Sequence, residues 1–243
     1  MKICFFVPSL GDGGAQRQCV ALLNRLAHRP DIDVHLILLA PGEYERDLDA
    51  SGIAVHRTEV SNFSSPAALR FVVSTLRRVR PDLLMSWLHP ADIWAYPATR
   101  IVRNVRWILT ERGSFYTDDL VYNMRLRLGC LGADLVIANS SAGARLWNDL
   151  PAAPSVRVIP NMTLGAPIIT AAPARSTATD CLYVGRFMWQ KNVTAIAAAF
   201  ALFAATHPGA RLLMAGQGEQ QDRVLQIASD GEIGSRVELL GYR

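Results

Sequence analysis

Short apolar runs alternate with longer stretches of helical period along this chain. The runs "KICFFVP", "VHLILLA", "DLLMSWL", "VRWILTE", "DLVIANS" and "VRVIP" each have strand length, and "VHLILLA" is apolar on both alternating faces. Between them lie repeats of three and four. Cys19, Val20, Leu23, Leu26 and Ala27 mark one amphipathic helix, and Leu69, Val72, Val73, Leu76 and Val79 mark another. Such alternation predicts an α/β fold, with a parallel sheet covered by helices on both faces.

The pattern breaks once. Residues 161–180, "NMTLGAPIITAAPARSTATD", are small and polar, with Pro167 and Pro173, and read as a linker with at most a stray strand. A second alternation follows: strand "CLYVGR", helix "VTAIAAAFALFAATH", strand "ARLLMAG", a helix around "EQQDRVLQIAS", and strand "RVELLG". The predicted division is a first domain over 1–160, a linker over 161–180 and a second, partial domain over 181–243. Three strands and two helices bury little surface, so the second domain is expected to be incomplete. Its last strand, Arg236 to Leu240, is expected to be an open edge unless it lies centrally.

Composition narrows the classes. Of 243 residues, half are hydrophobic and 19% charged, which suits a globular chain with an ample core. The net charge is +4, carried by 25 basic residues of which only Lys2 and Lys191 are lysine. Arg100, Arg103, Arg106, Arg112, Arg125 and Arg127 fall in one stretch, which predicts a local basic patch facing an anionic substrate or the inner face of a membrane. A plain arginine-rich habit of the sequence is the other reading. Nucleic-acid motifs are absent. Cys4, Cys19, Cys130 and Cys181 form no CxxC pair and sit among apolar residues, as buried free thiols of a reducing cytoplasm do. The N-terminus reads as a first strand rather than a signal peptide, and no run reaches membrane-spanning length.

Several short stretches carry candidate chemistry. "GDGGAQR", Gly11 to Arg17, joins a strand to a helix. Glycines let backbone approach a ligand, and a helix start offers free N–H groups to phosphate; an ordinary turn is the alternative. It is a poor dinucleotide fingerprint, because the third glycine position holds Gln16 and the nearby acids Asp31 and Asp33 precede the second strand. The pairs Asp31/Asp33 and Asp47/Asp49 resemble metal-binding DxD but follow no apolar strand, and read as solvated turn acids. His89 opens "HPAD" past a strand, where ligands bind in parallel sheets; it is either substrate-facing or a helix-start histidine. Arg186 and Lys191 stand at the corresponding edge of the second sheet. They read either as two solvated cations or as a clamp on a diphosphate, which would also relieve a lysine placed against a helix dipole. "AGQGEQQ", with Gly216 and Gly218, is a second glycine turn after a strand.

Together these stretches resemble the family 4 glycosyltransferases. The likeness runs over essentially the whole chain: "GGAQR", "SWLHPAD", "DLVIANS", "VIPN", "VGRFMWQKN", "LMAGQGEQ" and "VELLGY", in order. It implies a GT-B fold of two Rossmann-like domains and a retaining, metal-independent transfer from a nucleoside-diphosphate sugar to a glycan or lipid-linked acceptor, in the cytoplasm and in cell-surface polysaccharide synthesis. The nucleotide sugar is a co-substrate, and no metal or other cofactor is implied. By position, Arg186 and Lys191 would bind the donor diphosphate, Gly13 and Gly14 would offer backbone N–H to it, His89 would lie near the transferred sugar, and Gly216 and Gly218 near the nucleotide. Two features depart from the family. Met162 follows "VIPN" where glycine is usual, and no two glutamates lie eight positions apart. The second departure predicts a chain that stops within its second domain. It leaves a non-catalytic remnant, binding acceptor or partner alone, as the alternative.

Overall fold

Every apolar run of the first alternation becomes a strand of one parallel sheet. The computed structural model describes residues 1–49, 51–60, 62–63, 65–113, 120–163 and 180–242. The chain divides into two compact units, Met1–Ala166 and Pro167–Arg243. The sequence-predicted linker falls mostly on residues 164–179, outside the described residues.

The first unit holds β1 (Lys2–Val7), β2 (Asp33–Leu38), β3 (Ile53–Arg57), β4 (Leu83–Ser86), β5 (Arg106–Glu111), β6 (Leu135–Ala138) and β7 (Ser155–Val158). Their order is β3-β2-β1-β4-β5-β6-β7, and all pairs are parallel. Between them run α1 (Gly14–Ala27), α2 (Pro66–Val79), α3 (His89–Ile101), α4 (Leu120–Gly132) and α5 (Ser141–Asn148). Alternation along β1 shows why both faces are apolar. Cys4 and Phe6 join a core with α2, α3 and α5 through Val72, Leu76, Ala95 and Trp147. Ile3, Phe5 and Val7 point the other way, into a core with Cys19, Val20 and Leu23 of α1.

The strand β3 has no counterpart among the apolar runs. It is one of the sheet's two edge strands, and only Ile53 of its five residues is buried. A half-exposed edge strand needs no continuous apolar run, so "IAVHR" carries little periodic signal. All four cysteines are free, Cys4 and Cys19 fully buried and Cys130 and Cys181 half-buried. Burial raises the Cys4 and Cys19 thiols far above the ordinary range, which leaves them inert.

In the second unit β8 (Asp180–Val184), β9 (Arg211–Ala215) and β10 (Val237–Gly241) form a parallel sheet in the order β10-β9-β8. Here α6 (Val193–Thr206) and α7 (Gln221–Asp230) cover one face, through Phe200, Leu212, Met214, Val224 and Ala228. On β8 the alternate residues Leu182 and Val184 are 66% and 70% exposed. Among the described residues β10 pairs with β9 alone.

The two-faced core makes a direct prediction. Phe6→Ala should lower the unfolding free energy by about 3–5 kcal/mol in urea denaturation. A loss below about 1 kcal/mol would contradict full burial of this ring between β1 and the helices.

Candidate functional site

The order of the larger sheet reverses direction between β1 and β4. The chain leaves β1 toward β2 on one side and leaves β4 toward β5 on the other, so the loops after β1 and β4 part around a crevice at the carboxyl edge. The first loop delivers Gly13 as the residue before α1 and Gly14 as its first helical residue. The helix has no side-chain cap and no acidic residue in its first turn. Its first N–H groups therefore lack a protein acceptor of the usual kind, and open space lies over Gly14, where an added Cβ would meet nothing within 4 Å. This is the arrangement an anion needs.

The second loop delivers His89 as the first residue of α3. Leu88, just before it, holds φ 75, a conformation that a bulky residue adopts only under constraint. The His89 ring packs at 44° against Tyr122 of α4, with centroids 5.6 Å apart. Both glycines and the histidine thus start helices that flank the same crevice.

Beneath His89 lies a set of buried charges. Arg125 of α4 is wholly buried and donates from Nε to Asp92 of α3 at 2.5 Å, from one terminal nitrogen to Glu111 of β5 at 2.7 Å, and from the other to the Thr110 carbonyl at 3.2 Å. Ser86 Oγ donates to Asp92 at 2.5 Å, and Trp107 Nε1 donates to Ser86 Oγ at 2.8 Å. Trp147 Nε1 donates to Glu111 at 2.9 Å. Two carboxylates share one guanidinium. Burial pushes Asp92 up to about 6, against the pull of Arg125 and Ser86, and the Glu111 charge adds to the rise. Burial alone would lower Arg125, but Asp92 and Glu111 outweigh it and hold it charged.

A second cation stands at the carboxyl end of β5. The Arg112 guanidinium lies 3.6 Å over the Trp87 ring, while Trp87 Nε1 donates to the Ala15 carbonyl in the first turn of α1. Arg112 also donates to Asn161 at 3.4 Å, and burial lowers it to about 10. The arginine-rich stretch is therefore not one patch. Arg125 and most of Arg112 are internal, Arg127 is exposed on α4, and Arg100, Arg103 and Arg106 are exposed at the opposite edge of the sheet. Charge counting along the sequence cannot tell a solvated arginine from one that faces carboxylates across helices.

In the second unit the loops after β8 and β9 are zipped together. Phe187 N donates to the Gln217 carbonyl at 2.8 Å, and Gln220 N to the Phe187 carbonyl at 2.9 Å. Gly216 and Gly218 make this contact possible. Their φ angles are 139° and 154°, and a Cβ on either would strike backbone, at 1.9 Å from the Gly185 oxygen and 2.5 Å from the Phe187 oxygen. Close backbone packing thus accounts for both glycines. Phe187 is buried as a plug, and Arg186 and Lys191 emerge on either side of it, both exposed. Lys191 ends a single turn, Trp189–Lys191, directly before α6. Among the described residues neither cation has an ion pair or a side-chain hydrogen bond.

The motifs agree with this geometry. The family model "Glycosyltransferase Family 4" matches residues 12–163, and "Glycosyl transferases group 1" matches 166–243. The chain belongs to Glycosyltransferase Family 4. It is similar to the lipopolysaccharide core biosynthesis glycosyltransferase LpsE of Rhizobium meliloti, 27% identical over 239 residues, which is 96% of this chain and 64% of LpsE. The chain thus spans under two-thirds of that relative's length. Among solved structures, Anabaena HepE in complex with UDP and glucose matches with TM-score 0.76 and 21% identity over all of this chain and 70% of its own. TarM of S. aureus matches with TM-score 0.74 and 10% identity, over all of this chain and 76% of its own. These likenesses establish the GT-B architecture of the family.

The candidate residues fall into two groups: Gly13, Gly14 and His89 at the crevice of the first unit, and Arg186, Lys191, Gly216 and Gly218 at the carboxyl edge of the second. The acids considered for metal binding lie elsewhere. Asp31 is paired with Arg29 at 3.0 Å, Asp33 with Lys2 at 3.8 Å, and Asp49 accepts from Ser51. Reading the sequence missed the Arg125 cluster and the Trp87–Arg112 stack. The signal present was polar residues (Ser86, Asp92, Glu111) within otherwise apolar elements.

Removing the shared cation exposes the cluster's role. R125M leaves two buried carboxylates unpaired and should lose about 3–5 kcal/mol of stability near neutral pH. Without the cation Asp92 protonates more readily in the folded state than in the unfolded, so stability should recover as pH falls from 7.5 toward 5.5. A deficit that is absent, or that stays the same across this range, would contradict the assignment.

Proposed function

We propose that this chain carries the acceptor-side unit and a donor-binding portion of a glycosyltransferase that moves a sugar from a nucleoside-diphosphate sugar to a glycan or lipid-linked acceptor. The observation that carries this reading is the pair of unpartnered cations, Arg186 and Lys191, on the loop after β8 that Phe187 ties to the loop after β9, in a family 4 chain. Sugar transfer breaks the bond between the anomeric carbon and the diphosphate, and negative charge grows on the leaving nucleoside diphosphate. Fixed cations stabilise that charge with little reorganisation. In this reading Arg186 takes phosphate oxygens with its planar fork and Lys191 with a compact charge. The free N–H groups at Gly13 and Gly14 receive phosphate at the start of α1. His89 accepts or donates a hydrogen bond at the transferred sugar.

Transfer is proposed to proceed with retention, as the resemblance to the family 4 glycosyltransferases implies. Two fixed cations also take the place of a metal, so no metal cofactor is proposed. LpsE is named for lipopolysaccharide core biosynthesis, and HepE was solved with UDP and glucose; a uridine-linked hexose and a surface-glycan acceptor are accordingly the substrates to try first. Among the described residues no helix is long and apolar enough to cross a membrane. Peripheral contact with an anionic membrane from the cytoplasmic side is proposed instead.

Calorimetric titration with UDP tests the diphosphate assignment. R186A and K191A should each weaken binding about tenfold or more, as loss of a charge-assisted contact does. EDTA should leave wild-type affinity unchanged. Equal affinity in wild type and both variants would overturn the role of the cations, and loss of binding in EDTA would overturn metal independence.

A further inference from the structure

The edge of the larger sheet opposite the crevice gathers arginine. Arg77 and Arg80 end α2, Arg100 lies in the last turn of α3, and Arg103 and Arg106 lead into β5; all five are exposed. They line two adjoining clefts of about 570 and 410 Å³ that share Arg103, Asn104 and Val105. Among the described residues none of the five has an ion pair or a side-chain hydrogen bond. The two acids on the walls are engaged with backbone: Asp82 accepts from Lys2 N at 2.7 Å and Asp134 from Trp107 N at 2.7 Å.

Helix dipoles explain a basic residue in the last turn of α2 and of α3. They do not explain Arg103 and Arg106, which lie beyond α3, or the meeting of all five in one pair of clefts. An apolar residue interrupts the charges along the chain: Ile101, between Arg100 and Arg103, is 48% exposed. Arg100 itself lies 5.7 Å over the Tyr96 ring. Exposed arginines spread over two open clefts, with an exposed aliphatic neighbour, suit a fluid anionic surface, into which the charges reach headgroups and the apolar tip reaches past them.

We propose that this arginine edge docks the first unit on an anionic lipid bilayer. The proposal rests on the membrane contact of the preceding reading and gives it a place. A six-residue strand such as β1 rises about 20 Å, so the crevice would stand roughly that far from the lipid. An acceptor suited to that height is a glycan projecting from its lipid, rather than a bare headgroup.

Co-sedimentation with vesicles of phosphatidylglycerol and phosphatidylcholine, mixed one to two, tests this. Wild-type chain should bind these vesicles and not pure phosphatidylcholine, and binding should fall steeply as salt rises. The variant R77Q/R100Q/R103Q should lose on the order of 100-fold in partitioning, about fivefold per charge. The charge-matched variant R70Q/R145Q/R223Q should stay within a few-fold of wild type. Absence of binding by wild type, or equal losses in the two triple variants, would overturn the docking edge. Saturable calorimetric binding of inorganic phosphate that R77Q/R100Q/R103Q abolishes, with vesicle binding unaffected, would overturn it in favour of a soluble-anion site. UDP binding by R77Q/R100Q/R103Q should equal wild type, since the patch lies at the far edge. A chain that binds vesicles but not UDP would refute the transferase reading and leave the docking edge standing.

Discussion

A guanidinium stripped of water must be surrounded by acceptors, and Arg125 of α4 finds its acceptors on two other elements. Asp92 comes from α3, Glu111 from β5, and the Thr110 carbonyl from β5 again, while Ser86 and Trp107 lock Asp92 from beneath and Trp147 reaches Glu111 from α5. Elements that converge on one cation cannot shift independently, because any displacement leaves a buried charge unpaired. This constraint fixes the start of α3, and with it His89, one turn from Asp92. It also fixes α4, whose Tyr122 packs against the His89 ring. The carboxyl edge of the larger sheet is therefore held by polar contacts of exact geometry, whereas its middle is held by apolar packing that tolerates adjustment.

The smaller unit solves the same problem with backbone. Two glycines allow the loops after β8 and β9 to come within hydrogen-bonding distance, and the buried ring of Phe187 anchors the turn that carries Arg186 and Lys191. A lysine directly before a helix opposes the helix dipole, and an anion there offsets that opposition. That is the physical content of the proposed diphosphate clamp.

Much of this was legible in the residues. Parallel strands buried on both faces announce themselves as continuous apolar runs, which is why β1, β2, β4, β5 and β6 are legible directly. The two edge strands carry weaker signals: β7 is legible from the run "VRVIP" although none of its residues is buried, whereas β3, with Ile53 alone buried, is not. Glycines and cations placed after strands pointed to the carboxyl edges, where Gly13, Gly14, His89, Arg186 and Lys191 indeed lie. The sequence could not distinguish among arginines. Arg125 and Arg103 look alike in the chain, yet one is the centre of a buried network and the other an exposed charge on the opposite edge. The difference depends on which residues the helices bring near, information spread over Ser86, Asp92, Glu111 and Trp147 at distant positions. Likewise Gly216 and Gly218 read by themselves as a plain glycine turn, with a place near the nucleotide implied only by the family resemblance, and in the fold their lack of a side chain is required by the neighbouring loop.

The central claim is that the diphosphate of a nucleotide sugar is received at the turn bearing Arg186 and Lys191. Amide-resolved NMR of the isotope-labelled chain, titrated with UDP in the presence of EDTA, tests it most directly. The account predicts saturable shifts at the amides of Arg186 through Asn192 and at Gly216, with wild-type spectra elsewhere in the smaller sheet. Shifts confined to other surfaces, or no shift at this turn at saturating UDP, would contradict it.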